Sequence, residues 1–309
     1  MSTTRKVALT PAIVRRHTDN RGASWDIGML DIAQDHILCI LHEEGFFGAG
    51  LVFKGGTALR KCRSGTRGRF STDLDFAVTT SDVIGPVFDL IHGRECHGFR
   101  FDLDNQDLIS GRADMRVYPP FLENGKSSSA PLRTSSKLEI SPRNLWLNTE
   151  NLAFVNSASH IALDHPIPSA PIVCVTEAVA EKLARYARQP IVRDLYDLCW
   201  YGRNTQLDEN AIRSVWIKKV YLDFVVEGRW KSRKFDPQLI ISDSVLGRLR
   251  AEQIGMYHDD SEVPKWDAEF RSRYAFLTQL SDGDRFWAQC NARDKFQFEQ
   301  SVRDLGSHS

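Results

Sequence analysis

The chain has 309 residues, of which 42% are apolar and 26% charged, and its 40 Lys plus Arg balance its 40 Asp plus Glu. That length and composition describe a globular protein with one large core or two ordinary ones, and the zero formal charge excludes a globally basic nucleic-acid binder, so any basic surface has to be local. Six widely spaced cysteines without a C-x-x-C pair argue for reduced thiols in a cytoplasmic protein and against a disulfide framework or zinc site; no apolar run is long enough to span a membrane, and "MSTTRKVALTP" lacks a signal-peptide core.

In chain order, "SWDIGMLDIAQDHILCILHEEGFF" places Ile27, Leu30, Ile32, Ile37, Leu38, Ile40 and Leu41 at roughly helical spacing and ends on a glycine stop. "GLVFKGG" is a short apolar run ending in glycines, the pattern of a buried strand entering a turn, and "TALRKC" then opens a helix with Thr57 as its N-cap. "STDLDFAV" alternates as a strand, with Leu74 and Phe76 facing one way and Asp73 and Asp75 the other. A helix over "SDVIGPVFDLIHG", strands over "FRFDLDNQ", "ADMRVYPPF" and "SSKLEISPR", and a polar loop over "LENGKSSSAP" complete the first half. "IPSAPIVCV" reads as a Pro-punctuated connector, which sets the domain boundary: residues 1–170 form a mixed α/β domain and 171–309 a mainly helical one. In "TEAVAEKLARYAR", Ala178, Lys182 and Arg185 share one helix face and Val179 and Leu183 the apolar one; Pro190 ends that helix. "IVRDLYDLCWY" buries Leu195, Leu198 and Cys199 and turns Asp194, Asp197 and Tyr201 to another side. Further helices follow through Arg271–Gln279 and Asp284–Val302, with "WKSRKFDPQ" as a basic loop.

Chemistry concentrates between Phe53 and Val78. Two carboxylates on one strand face repel each other unless a cation sits between them, and a hard divalent ion such as Mg²⁺ or Mn²⁺ takes oxygen ligands from one or two carboxylates plus substrate phosphates. Gly55-Gly56-Thr57, between a strand and a helix, offers backbone N–H groups to an anion. One element thus suits a triphosphate and the other the metal that bridges it, although no G-x-x-x-x-G-K-[ST] motif is present. Lys54, Arg60, Lys61, Arg63, Arg67 and Arg69 put positive charge around this turn; Arg60 to Arg69 read either as a surface for a polyanionic acceptor or as a solvated loop.

The ordered set "FKGGTALRK", "RFSTDLDF", "KLEI", "EKLARYAR" and "RDLYDL" resembles the AbiEii toxins and the related MenT toxins, within the polymerase-β-type nucleotidyltransferase superfamily, over roughly Leu51 to Tyr201. The resemblance implies an α+β fold, a nucleotidyltransferase-like mixed sheet followed by a helical domain that completes the active-site cleft. It implies a third strand carboxylate, matched by Glu139, which would complete the metal site with Asp73 and Asp75 and act as general base. Glu139 also reads as a strand-edge partner of Lys137 or Arg143; Asp102 and Asp104 read as solvated acids, and Asp114 as a weaker rival. The resemblance further assigns a lysine and an aspartate of the helical half to the site, here Lys182 on a triphosphate oxygen and Asp194 or Asp197 orienting it. It also places Ser71 beside the metals, where an added phosphate would repel an incoming triphosphate.

The reaction implied is transfer of a nucleoside monophosphate from a nucleoside triphosphate to an acceptor hydroxyl. Lys54, Gly55, Gly56, Thr57, Ser71 and Lys182 would hold the nucleotide, and the MenT likeness implies the 3′ end of tRNA as acceptor and an antitoxin as partner. A kinase-like phosphotransferase on the same scaffold and a non-catalytic nucleotide-binding regulator are the alternatives.

Overall fold

Eight strands form one mixed sheet: β1 (Leu51–Lys54), β2 (Leu74–Val78), β3 (Arg94–Cys96), β4 (Phe99–Asp107), β5 (Arg112–Tyr118), β6 (Ser136–Ser141), β7 (Glu150–Ala153) and β8 (Ser169–Ile172), in the order β3-β4-β5-β6-β2-β1-β8-β7. The computed structural model describes residues 9–18, 23–78, 81–141, 145–155, 169–230, 234–242 and 263–307. It divides into two compact units, the first taking the chain to residue 141 with 149–172, the second taking 145–148 and 173 onward.

In the first unit the period of two sorts the sheet into an apolar and a charged face. Leu74, Phe76 and Val78 of β2, Phe99 and Phe101 of β4 and Leu138 and Ile140 of β6 enter one core. Helices α1 (Pro11–Thr18), α2 (Trp25–Glu43) and α4 (Ile84–Ile91) contribute Val14, Ile37 and Phe88 to that core; α3 (Gly55–Leu59) follows β1 directly. Phe53 and Phe76 are fully buried and their rings stack at 5.2 Å; burying each is worth about 1.5–3 kcal/mol. The alternate positions, Lys54, Asp75, Asp102, Asp104, Asp114 and Glu139, stay half-buried on the opposite face. Every residue of α2 from Gly28 to Leu41 is buried, including Asp31, Gln34, Asp35 and His36. A helix covered on all sides has to find internal partners for such polar groups.

The second unit is helical. Helices α5 (Val175–Arg188), α6 (Val192–Asn204) and α7 (Glu209–Tyr221) lead it, followed by Val263–Arg273, Asp282–Ala288 and Lys295–Ser307. Glu177, fully buried on α5, accepts from the backbone N–H of Trp146 at 3.0 Å and of Leu147 at 2.9 Å and pairs with Lys219 Nζ at 2.6 Å. Tyr221 stacks on Phe298 at 4.7 Å.

Several expectations change. Ser169–Ile172 is not a connector but strand β8, parallel to β1 through Phe53 and Ile172 and antiparallel to β7. Its Pro171, which cannot donate to a ladder, suggested an irregular segment. The strands β3 and β7 and helix α1 have no counterpart in the reading of the sequence. The helix after the glycine turn starts at Gly55, not Thr57, with Lys54 as its N-cap. The helix expected through Asp284–Val302 is two, parted by Gln289–Asp294. Part of the basic loop, 231–233, and Arg143 lie outside the described residues.

Candidate active site

The register of four strands lays one charged row across the sheet. Lys54 of β1 is opposite Asp75 of β2, Asp75 is opposite Glu139 of β6, and Glu139 is opposite Arg112 of β5. Directly opposed residues share a face, so two carboxylates stand side by side between two cations. Arg112 Nη2 lies 3.2 Å from Glu139 Oε1; this arginine, not Lys137, is the cation at Glu139. Asp73 precedes the first residue of β2, so it sits at the strand's entrance and not within the ladder.

The glycine turn is built against that row. Gly55 has φ of +81°, a left-handed conformation that disfavours any residue with a β-carbon, and a β-carbon there would run into Asp75 Oδ2. At Gly56 a β-carbon would run into Arg69 Nη2 and lie 3.1 Å from Ser71 Oγ. The two glycines thus let the backbone approach a carboxylate on one side and a guanidinium and a hydroxyl on the other.

Side chains from three elements fix the segment that carries Asp73. Gln34 Nε2 of α2 donates to the carbonyls of Ser71 and Thr72 at 3.2 and 2.9 Å. Ser136 Oγ of β6 donates to Thr72 O at 2.5 Å, and Thr57 Oγ1 donates to Asp73 O. Thr57 is fully buried, and its hydroxyl ties the turn to the carboxylate segment instead of capping the helix. Gln34 and Ser136 were not singled out in the sequence, although a glutamine inside an apolar helix is the kind of residue that needs a buried partner.

The basic stretch departs from the expected acceptor surface. Arg60, Lys61 and Arg69 are buried, at 4, 5 and 6% exposure. Arg60 forks onto Asp31 at 2.8 and 3.0 Å and lies 3.9 Å over the Phe70 ring. Lys61 Nζ reaches Asp35 at 2.6 Å and Asp31 at 3.1 Å, and His17 closes on Asp31 at 2.7 Å. Burial alone would raise the Asp31 carboxyl, but Arg60, Lys61 and His17 outweigh it and hold Asp31 well below the usual carboxylate range. Arg63 pairs with Glu150 at 2.8 Å, and Arg67 is exposed. Two of these five cations, Arg60 and Lys61, therefore lock the helix after the turn onto α2. Arg69 instead stands at Gly56, as a part of the turn's surroundings.

In the second unit, Lys182, Asp194 and Asp197 are buried. Lys182 Nζ is 2.6 Å from Asp197 Oδ2 and 4.0 Å from Asp194 Oδ1. Arg185 forks onto Asp194 through Nε, at 2.6 Å, and Nη2. Asp197 is thus the hydrogen-bond partner of Lys182, and Asp194 that of Arg185.

Asp102 and Asp104 pair with Arg100 at 3.3 Å and Arg116 at 2.5 Å, and Asp114 accepts from Asn105 at 2.7 Å. The glycine turn is built against Asp75 and not against these acids.

A glycine turn against a strand aspartate, with a second carboxylate on the neighbouring strand of a mixed sheet, is the frame of a nucleotidyltransferase. The family of nucleotidyl transferase AbiEii toxins of type IV toxin–antitoxin systems matches residues 37–284, and the chain belongs to it. MenT4, a nucleotidyltransferase toxin from Mycobacterium tuberculosis H37Rv, is 36% identical, with 97% of this chain and all of that chain covered and a TM-score of 0.87. JHP933 from Helicobacter pylori superposes at a TM-score of 0.46 with 16% identity over 92% of this chain and 97% of its own, below the level at which a common fold is argued. No curated protein sequence matches the chain significantly. Among the described residues no helix is long and apolar enough to cross a membrane.

Proposed function

We propose that the protein is a toxin that transfers a nucleoside monophosphate from a nucleoside triphosphate to an acceptor hydroxyl, with the 3′ end of tRNA as acceptor and an antitoxin as its partner. The observation that carries the reading is the row Lys54–Asp75–Glu139–Arg112 beside the glycine turn. Carboxylate oxygens of Asp73, Asp75 and Glu139 are the hard donors that Mg²⁺ or Mn²⁺ takes, so the residues fit such an ion. When bound, it supplies positive charge to the phosphoryl oxygens.

The chain's own groups do the rest. The acceptor oxygen attacks the α-phosphorus, the bond from that phosphorus to the bridging oxygen breaks, and pyrophosphate leaves. Glu139 takes the proton from the acceptor hydroxyl. Gly55 and Gly56 let backbone N–H groups come close to the triphosphate, Arg69 adds fixed charge at Gly56, and Ser71 lines the same place. Lys54 stands beside Asp75 on the same row. Lys182, held by Asp197, neutralises phosphate oxygen, a role drawn from the family likeness.

The test is incubation with tRNA and each α-labelled or γ-labelled triphosphate in Mg²⁺. Label from the α position on the tRNA 3′ end supports the proposal. Label from the γ position would make the protein a phosphotransferase, and tight triphosphate binding with no transfer would make it a regulator. Asp75→Ala should abolish transfer with the fold intact, as read by circular dichroism; full activity in that variant would sink the mechanism.

A further inference from the structure

At the edge of the sheet β3 and β4 join through a two-residue hairpin. Cys96 is opposite Phe99, and the turn residues His97 and Gly98 have φ of +49° and +82°. Positive φ at both central residues is the hairpin turn whose twist matches the strands, and histidine is among the few side chains enriched in that conformation. The turn carries Cys96 and His97 to α2, where His36 is fully buried. A ring nitrogen of each histidine and Cys96 Sγ all lie within 4.8 Å of one another. The two imidazoles stack at 4.9 Å and 14°, and the ring of His36 also meets Phe99 at 5.2 Å.

We propose that His36, Cys96 and His97 form a binding site for a borderline divalent transition-metal ion of the Zn²⁺ class, separate from the oxygen site at Asp75 and Glu139. Two imidazoles and a thiolate are the donors such ions select, whereas Mg²⁺ and Ca²⁺ take oxygen. Bonds of 2.0–2.3 Å in a tetrahedron hold ligand atoms about 3.3–3.8 Å apart. The spread seen here exceeds that by about 1 Å, a movement that side-chain rotation at an exposed hairpin tip supplies. The ion would displace the thiol proton of Cys96 to solvent. Cys39 lies one turn along α2 from His36, but its thiol is not part of this group of ligand atoms. The site is therefore assigned three protein ligands, with water in the fourth position.

The absence of C-x-x-C argued against zinc in the sequence. That rule sees only ligands adjacent in the chain, and here a Cys-His pair on a hairpin meets a histidine from a distant helix. The consequence is mechanical. Strand β3 has three residues at a sheet edge, too few to hold itself, and the ion would staple its hairpin to α2. That helix also supplies Gln34 to the carbonyls of Ser71 and Thr72.

The experiment is titration of chelator-treated, full-length protein with Co²⁺, read by its visible absorption and its thiolate-to-cobalt charge-transfer band, then displacement by Zn²⁺. We expect one Co²⁺ per chain. The charge-transfer band should vanish in Cys96→Ser and the affinity should drop at least about tenfold in His97→Ala. Zn²⁺ should raise the melting temperature of the wild type and not of these variants. No charge-transfer band, or a band that persists in Cys96→Ser, overturns the assignment. None of these readouts depends on nucleotidyl transfer.

Discussion

Replacing Lys182 by methionine separates packing from catalysis in the helical unit. Lys182 is 5% exposed, and Asp194 and Asp197 are fully buried. Methionine keeps most of the alkyl volume and deletes the charge that sits 2.6 Å from Asp197; Asp194 keeps its fork from Arg185. Removing one partner of a buried pair costs about 3–5 kcal/mol, because the other charge loses its nearest compensation. A solvated helix lysine would cost no more than about 0.5 kcal/mol. Denaturant unfolding should therefore show a large loss for Lys182→Met. It should show a similar loss for Asp197→Leu and a substantial recovery in the double variant, since replacing both members of a buried pair by apolar groups is often neutral. The double variant then isolates the chemistry. If the pair acts on the triphosphate, single-turnover transfer in that refolded protein stays depressed about a hundred- to a thousandfold, the scale of one lost electrostatic donor. A stable double variant with full transfer would return Lys182 and Asp197 to a structural role. A loss below about 0.5 kcal/mol in Lys182→Met would refute the burial argument itself.

Three further outcomes follow from the first unit. Gly55→Ala should lose the left-handed conformation, about 1–2 kcal/mol, displace Asp75 and abolish transfer; Gly45→Ala, at φ of +78° with open space around it, should lose only stability, and equal effects would show that the Asp75 contact is immaterial. Asp31 is held low in the folded state, so its stabilisation is fully present above the unfolded carboxylate value of about 3.9 and fades as pH falls from there through the folded value; Asp31→Asn should lower stability at neutral pH and flatten the acid limb of the unfolding curve, and an unchanged limb would count against the network. Arg112→Ala should lower the Mg²⁺ concentration for half-maximal transfer a few-fold, because a cation beside the metal's ligands repels the metal; an unchanged requirement would remove Glu139 from the metal set.

Elements with a clear period were legible in the sequence, and elements held by the sheet were not. Strands β4, β5 and β6 alternate, and α2 repeats its apolar residues at helical spacing, so local pattern sufficed. Strand β8 contains Pro171 and is a strand because β1 and β7 flank it, a tertiary cause that no local signal carries. In the candidate site, the glycine turn and the paired acids Asp73 and Asp75 are local patterns, whereas Glu139 was named only through the family resemblance. The adjacency of Asp75 and Glu139 needed the register of β2 on β6. The fate of the arginines was not legible: a basic run reads as surface, and only the folded chain shows that α2 turns Asp31 and Asp35 toward it. The signal lay in α2 itself, where charged residues sit inside a stretch too apolar to be exposed.

That burial bears on why so much positive charge precedes two like carboxylates. Arg60 and Lys61 are discharged on Asp31 and Asp35 and act as the lock that holds the helix behind the glycine turn. Arg69 remains at the turn, and Lys54 and Arg112 bracket the two acids. The row across the sheet is then formally neutral, with plus, minus, minus and plus in order. Such a row is poorly matched to a bare anion, which meets the carboxylates, and to a bare cation, which meets the flanking bases. A divalent ion that arrives with a polyphosphate satisfies both, the ion on the acids and the phosphates on the turn and the bases. On the proposed function, selectivity for the metal–triphosphate complex over either component would follow from the order of charges along four strands, before any single contact to the nucleotide is counted.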